Sequence, residues 1–520
     1  MPHEAVHLPT EPEALRAIIA QKEAEIARLS AHLQLLQEEL TLLRVKRFGR
    51  RSETYPSGQF RLFNEAEVEA RAIPEERAET IEIAAHRRAR GGRKPLPTQL
   101  PRIEVVHDLS DEERICPHDG VVLRAIGEEI AEQLDIEPAK VRVIRHVRKK
   151  YACPHCQQGV KTASLPPQPI PKSLASPGLA AHIAVGKYQD GLPLHRQEKI
   201  LQRIGMEISR ATLAFWMIQL GRLIQPVINL LRDHLLAYDI VHMDETTVQV
   251  LKEPGKSAQS KSYLWVQRGG APGRPVVLFD YDPSRSQSVP LRLLEGYGGY
   301  LQVDGYEAYN AIGQENGIRL VGCFAHARRK FHEALKAQGK PHQRDPTKVS
   351  HAEQGLLAIQ SLYRIERELK TATPENRYRV RQQKAKPLLD KIRAWLDGVL
   401  PSVPPESLTG KALTYLYHQW PKLIRYLEDG RLAIDNNIVE NAIRPFVMGR
   451  KAWLFSDTVS GAQSSANLYS LIETSKACGH EPYYYLRHLF TELPKATSLF
   501  EIEALLPFNL KPDKNHSSPV

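Results

Sequence analysis

The sequence predicts a multidomain α/β chain. Three observations carry that expectation. Short β-branched apolar runs fill residues 238–335, helical periodicity lies on both sides of them, and a polar stretch separates a leucine-rich helix from the rest. At 520 residues the chain has room for roughly three or four domains. It carries 71 Lys and Arg against 60 Asp and Glu, a net charge of +11, which suits a polyanionic partner without naming one. Five cysteines make a disulfide framework a poor expectation and a reducing cytosol the default. The N-terminus lacks the basic-then-apolar pattern of a signal peptide, and no stretch approaches the roughly 18 apolar residues of a membrane span. The expected compartment is the bacterial cytoplasm or nucleoid, with no membrane partner.

Residues 1–50 are expected to form a leucine-rich coiled-coil helix. Within 13–46, Leu15, Ile19, Ile26, Leu29, Leu33, Leu36, Leu40 and Leu43 alternate spacings of three and four, broken only by Lys22. About four heptads suit a homo-oligomer; the competing reading is an amphipathic helix packed on its own domain. A compact basic turn is expected at 45–53. Residues 51–102 read as a basic linker or arm, because Gly, Pro and like charges cluster at 85–97. Such an arm can bind phosphates by releasing counterions, or serve as a tether.

Residues 103–168 read as a small cysteine-containing β module. Val141, Val143, Ile144 and Val147 interleave with Lys and Arg, the pattern of a strand with one basic face. Residues 169–235 read as a helical domain. Gly205 separates Gln197–Ile204 from Ser209–Leu220, with Ser209 as a cap, so the pair resembles a helix-turn-helix. Residues 236–340 carry the strand runs Ile240–Leu251, Ser262–Gln267, Val276–Tyr281, Tyr300–Val303 and Arg319–Cys323, then the helix Ala325–Ala337. Residues 341–432 read as a helical insertion, with Leu388, Ile392, Trp395, Leu396 and Val399 as one stripe. Residues 433–495 return to the core, and 496–520 read as a tail.

Three carboxylates stand out. Asp244 follows Ile240 and His242 at even spacing, so the three share a strand face. Asp304 ends Tyr-Leu-Gln-Val-Asp-Gly-Tyr, and Glu440 opens a helix in Asp-Asn-Asn-Ile-Val-Glu-Asn-Ala-Ile-Arg-Pro. Together they can hold two divalent ions about 3.5–4 Å apart, the clamp that phosphodiester chemistry needs. Taken singly, Asp304-Gly305 is an ordinary turn, and Glu440 an i,i+4 partner for Arg444. Pro445 weakens that second reading by disfavouring helical geometry at Arg444. Asp435 is expected as the N-cap, and Asn436, Asn437 and Asn441 as amide groups near a polyanion. His326, Arg328, Arg329 and Lys330 on one short helix, with Arg444, Arg450 and Lys451, are candidate DNA phosphate contacts.

Cys153-Pro-His-Cys156 is a CxxC pair, and Cys116-Pro-His-Asp119 is half of another. Structural zinc wants four ligands; Cys116, Cys153 and Cys156 give three, and Asp119, His118 or His155 the fourth. The alternative is a metal-free module with free thiols. Cys323 and Cys478 read as buried small residues.

Nearly the whole chain resembles the DDE transposases named for insertion sequence 66. The likeness rests on Phe-Gly-Arg-Arg-Ser-Glu, Lys-Tyr-Gln-Asp-Gly-Leu-Pro-Leu-His-Arg-Gln-Glu, Met-Asp-Glu-Thr, Val-Asp-Gly-Tyr-Glu-Ala-Tyr, Cys-Phe-Ala-His-Ala-Arg-Arg-Lys-Phe, the Glu440 motif, Gly-Arg-Lys-Ala-Trp-Leu-Phe and Tyr-Ser-Leu-Ile-Glu-Thr. The resemblance implies an RNase H-like catalytic core interrupted by a helical insertion. It implies Asp244, Asp304 and Glu440 as the triad, with Mg²⁺ or Mn²⁺ as cofactor and Zn²⁺ in the cysteine module, where Asp119 departs from the family pattern. The implied reaction is cleavage at element ends and joining to target DNA, with accessory proteins of the same element as further partners. Two alternatives stay open: a catalytically silent DNA-binding regulator, and a metal-dependent nuclease without strand transfer.

Overall fold

The computed structural model describes residues 12–48, 143–147, 149–152, 160–162, 164–314, 317–338 and 349–512. The chain divides into two compact units, residues 75–166 and the remainder. In the smaller unit β1 (Lys150–Ala152) pairs antiparallel with β2 (Val160–Thr162). The strand expected over 141–149 does not form among its described residues: 143–147 and 149 are irregular, and Val143 is 93% exposed. β-branched residues make a strand only where a neighbour covers one face, and among the described residues little covers Val143 or Val147. Cys116, His118, Asp119, Cys153, His155, Cys156 and the arm at 51–102 lie outside the described residues.

The larger unit begins with α1 (Pro12–Phe48), so the first residues of the expected basic turn are helical. Then come α2 (Pro177–Tyr188), α3 (Leu194–Arg203), α4 (Arg210–Leu223) and α5 (Gln225–Leu236). The sheet region holds β3 (Ile240–Lys252), β4 (Lys261–Gly269), β5 (Val276–Asp282), α6 (Ser288–Leu293), β6 (Gly299–Gln302), α7 (Tyr309–Ile312) and β7 (Ile318–Val321). The helices α8 (Phe324–Ala337), α9 (His351–Glu368), α10 (Pro374–Val380), α11 (Lys386–Val399) and α12 (Leu408–Leu423) follow. The chain returns through α13 (Asn437–Trp453), β8 (Ser456–Thr458), α14 (Val459–Ala477), α15 (Pro482–Glu492) and α16 (Leu499–Ala504).

The sheet order is β5-β4-β3-β6-β7, with β8 paired to the far end of β3. β3, β4 and β5 are antiparallel neighbours, whereas β6 and β7 run parallel to β3. Edge strand β5 would leave N–H groups unpaired. Instead Ser470 and Thr474, one turn apart on α14, accept the N–H groups of Phe279 (2.7 Å) and Val277 (3.0 Å). The string Tyr-Ser-Leu-Ile-Glu-Thr thus covers a sheet edge that would otherwise invite strand addition.

Helices α2, α4 and α5 share one hydrophobic core with this sheet: Ile183, Trp216, Leu220 and Leu231 pack in the cluster of Val266, Phe279 and Tyr469. Residues 169–235 fall in the same compact unit as the sheet. Ser209 caps α4 as expected, accepting from the Thr212 N–H at 3.2 Å. At Gly221 a Cβ would stand 2.4 Å from Ser464 Cβ, so only glycine lets α4 and α14 approach this closely. The expected tail also joins this core, because Leu505 and Leu506 are apolar and buried in it. Among the described residues no single helix is long and apolar enough to cross a membrane. The bent pair α4–α5 passes on composition, and most of its apolar residues are core, Phe215 being exposed.

The helical block 349–432 builds a second core with α8. Phe331, Ile359, Leu396 and Leu413 meet Ile240, Tyr300 and Val321 from the sheet. Between α10 and α11 a π-helical turn (Arg381–Ala385) turns Arg381 fully inward. Its guanidinium pairs with Glu366 at 2.7 Å and donates to the carbonyls of Tyr426, Asp429 and Leu432 at 2.8–3.1 Å. A cation stripped of water persists only with its partners so satisfied. We expect Arg381→Met to lose about 3–5 kcal/mol, because it strands the Glu366 carboxylate and three carbonyls. Chemical denaturation measures it; a loss under about 1 kcal/mol contradicts the clamp.

Candidate active site

Three elements bring the acidic residues within electrostatic reach of one another. Alternation along β3 sends Ile240 into the second core and Val241 and Met243 into the first. His242 and Asp244 thereby share the face of Ile240. Asp304 follows β6, where its Oδ1 accepts the Tyr306 N–H at 2.9 Å. Gly305 is required there, because a Cβ would stand 2.6 Å from the Tyr415 ring. Glu440 lies in the first turn of α13 and is 5% exposed.

The three carboxylates act on one another. Burial pushes the Asp244 carboxyl well up, and the charges of Glu245, Asp304 and Glu440 push it the same way. Burial raises Glu440 to about 7; Arg329 opposes, while Asp435 and Asp304 reinforce. His326 Nδ1 and Arg329 Nη2 each stand 3.8 Å from Glu440, too far for a hydrogen bond. Among the described residues, Glu440 Oε1 and His326 Nδ1 are both buried without a hydrogen-bond partner. Burial, with Arg329 and Lys330 nearby, lowers His326 to about 4, so the ring is neutral at pH 7.

Half-buried Asp244 and Asp304 beside buried Glu440, whose Oε1 has no hydrogen-bond partner among the described residues, fit a hard divalent cation. Among the described residues, Cys323, His326 and Glu440 are the group whose ligand atoms lie within 4.8 Å of one another; the oxygens of Asp244, Asp304 and Glu440 do not all come that close. Burial pushes the Cys323 thiol well up, and its sulfur already accepts the Asn436 N–H at 3.2 Å. A protonated thiol is a poor ligand, so the oxygen set is the better cation site.

Asn436 and Glu245 emerge as positioning residues. The Asn436 amide meets His242 Nδ1 at 3.0 Å and donates to Met243 O at 2.9 Å. Asn436 is fully buried, so it is no polyanion contact, and it, not Asp435, is the N-cap. Asp435 accepts from the Asn437 N–H (3.2 Å) and the Tyr363 hydroxyl (2.9 Å). Glu245, a fourth carboxylate, pairs with Arg285 at 2.5 Å and accepts the Tyr309 hydroxyl at 2.6 Å. Arg285 lies 3.8 Å over the Tyr306 ring, so the loop after Asp304 is fastened to β3.

The basic candidates divide. Arg329 is 48% exposed beside Glu440, and Lys330 lies 4.9 Å over the Tyr415 ring. Arg328 departs from expectation: it is 3% exposed, turned toward Tyr363 on the opposite face of α8, and cannot reach a phosphate. Arg450 hydrogen-bonds the Thr247 hydroxyl (2.8 Å) and carbonyl, tying α13 to β3. Lys451 is exposed and Arg444 half-buried. Helix α13 runs through Pro445. Burial of Ile443 and Phe446 on either side outweighs the local preference of the residue before proline. Cys323 is buried and Cys478 half-buried.

Residues 172–464 match the model described as Transposase IS66 family. The chain belongs to that family. Its zinc-finger binding domain matches 113–157, its C-terminal element 470–508, and a model described as Transposase C of IS166 homeodomain matches 35–105. Two uncharacterized Sinorhizobium fredii proteins are similar: y4qI, 34% identical over 96% of this chain and 94% of its own, and y4jD, 33% identical over 81% and 82%. These family domains support a transposase role, with the divalent-metal use and DNA binding that family membership implies.

The raised Glu440 carboxyl gives a pH signature. The metal-free fold keeps a proton there that the unfolded chain, near 4.5, releases. That stabilisation is present below pH 4.5 and is lost as pH rises through about 7. His242 and His326, both lowered to about 4, act oppositely and lose stability as pH falls from 6.5. Glu440→Gln leaves the histidines in place and removes the first effect together with the upward push of the Glu440 charge on Asp244, which has the same sign. Its Tm relative to the natural protein, in chelator, is expected to climb between pH 4.5 and about 7 and to level off above. A flat difference contradicts the assignment.

Proposed function

We propose that the protein is a DDE transposase that cleaves DNA at insertion-sequence ends and joins the freed 3′-hydroxyl to target DNA. The observation that carries this reading is that the Asp244 carboxyl lies within electrostatic reach of Asp304 and Glu440, with no hydrogen-bond partner for Glu440 Oε1 among the described residues. The antiparallel β5-β4-β3 run continued by parallel β6 and β7 supports an RNase H-like core, with 341–432 as its insertion. Asp244, Asp304 and Glu440 would hold Mg²⁺ or Mn²⁺, which supply charge neutralisation and an acidified attacking oxygen when bound.

The remaining chemistry belongs to side chains. Neutral His326 offers a ring nitrogen beside Glu440, and Arg329, Lys330, Arg444 and Lys451 supply charge for DNA phosphates. Arg450 contributes through the α13–β3 tie. Cys116, Cys153, Cys156 and Asp119 would hold structural Zn²⁺ in the smaller unit. The setting is the bacterial cytoplasm, at the nucleoid, with accessory proteins of the element as further partners.

The α1 stripe supports a homo-oligomer. Ile26 and Leu43 are 62% and 63% exposed, whereas Leu42 on the opposite face is 9% exposed and Glu38 accepts the Leu408 N–H at 3.3 Å. One face is seated on the chain's own helices and the other is open to a second copy.

Two experiments test these proposals. With element-end DNA and Mg²⁺, the natural protein is expected to give nicked and joined products. Asp244→Ala, Asp304→Ala and Glu440→Ala are each expected to fall to the level of chelated natural protein while DNA binding stays within about threefold. A gel shift alone supports the regulator, and nicks without joined products the nuclease. Cleavage in excess chelator overturns the metal reading. For the oligomer, Leu36→Glu is expected to halve the mass in sedimentation; unchanged mass rejects the α1 seam.

A further inference from the structure

A cavity of about 360 Å³ opens where the far half of β3, the β3–β4 hairpin and the end of α13 meet. Three cations line it, Lys261, Arg450 and Lys451, with the amides of Gln249 and Gln259. Acidic groups nearby are engaged: Asp457 pairs with Lys252 at 2.8 Å, and Glu253 accepts the Ser262 hydroxyl at 3.1 Å. The net field is positive. Arg450 is pinned by the Thr247 hydroxyl and carbonyl, so its charge stands in a fixed place.

Leu454 overhangs this basic mouth. It is 62% exposed, and Phe455 after it is 43% exposed. Leu454 has φ 67°, a left-handed conformation that a branched side chain rarely takes. Such strain persists where surroundings impose it. Here the Leu454 N–H donates to Arg450 O at 2.8 Å, and Trp453 packs 5.3 Å from the Phe446 ring. An apolar side chain is thus held out over a cationic cavity at a conformational cost.

We infer that this cavity is a nucleotide subsite, taking one unstacked base of a DNA strand whose phosphates lie on Lys261 and Lys451. The inference rests on the DNA-processing reading above. Gln249 Nε2 is spent on Ala258 O at 2.7 Å, so the Gln259 amide is the edge that suits a base; the two lysines suit its phosphates beside the fixed charge of Arg450, and exposed Leu454 and Phe455 suit the flank of a base out of its stack. The cavity also lies on the strand and helix that carry Asp244 and Glu440. At ~1.5 Å per residue, α13 sets Leu454 about 20 Å from Glu440, a few nucleotides along a strand.

The test uses the full chain with Ca²⁺ replacing Mg²⁺. It is titrated with a blunt duplex, and with the same duplex bearing a short unpaired 3′ tail that carries 2-aminopurine. The natural protein is expected to bind the tailed DNA about tenfold tighter and to change the tail fluorescence. Leu454→Gly suits the positive φ and removes the overhang; it is expected to lose the preference while keeping blunt-duplex affinity. Should that variant not fold, photocrosslinking from an iodouracil in the tail to residues 449–461 of the natural protein replaces it. No tail preference, or crosslinks elsewhere, overturns the subsite while blunt-duplex binding keeps the DNA reading. No binding to either DNA overturns both.

Discussion

Asn436 is the buried contact on which the acidic site depends. Carboxylates that repel one another cannot set their own geometry, so the positions must come from elsewhere. One neutral side chain supplies them: it joins β3 through His242 and Met243, and its backbone N–H reaches Cys323 at the head of α8. Its charge matters as much as its reach. A cation there would pair with the carboxylates and compete with any metal; an amide fixes them and leaves their charge intact. His242 follows the same logic, since burial keeps its ring neutral above about pH 4.

Asp304 is held differently, because it sits on a loop. The loop is fastened at Tyr306 and Tyr309, through Arg285 and Glu245, to the residue next to Asp244. Strand alternation puts Asp244 and Glu245 on opposite faces, so adjacent carboxylates divide the work. One faces the acidic site; the other anchors the loop that carries its companion. The helical block between α8 and α13 disturbs none of this, because its own core and the Arg381 clamp stabilise it locally.

Much of this was legible in residue order. The strand runs, the cap at Ser209 and the stripe on α11 follow from periodicity and local chemistry, which are short-range. The three acidic residues stand out in the sequence because their settings are local too: a strand face, a strand end and a helix start. What escaped was long-range. That Asn436 is spent inside the fold depends on residue 242, nearly two hundred positions away. Arg328 and Arg329 are adjacent and alike in sequence, yet helical rotation of about 100° sends one inward and the other to the surface. The strand expected near 143 failed for the same reason: a β pattern is a promise of burial that only the fold can keep.

Helix α13 joins the acidic site to the basic cavity, and its two ends differ for a physical reason. Glu440 lies in the first turn, where the helix dipole favours negative charge, while Arg450 and Lys451 lie in the last, where it favours positive charge. The dipole offsets part of the burial cost at Glu440, and its carboxyl comes to rest near 7, the range in which cation binding easily displaces a proton. A helix that continued straight through Pro445 without support would bend there. Ile443 and Phe446, buried on either side, keep it in place, so acid and base are carried on a single element whose length sets the distance between them.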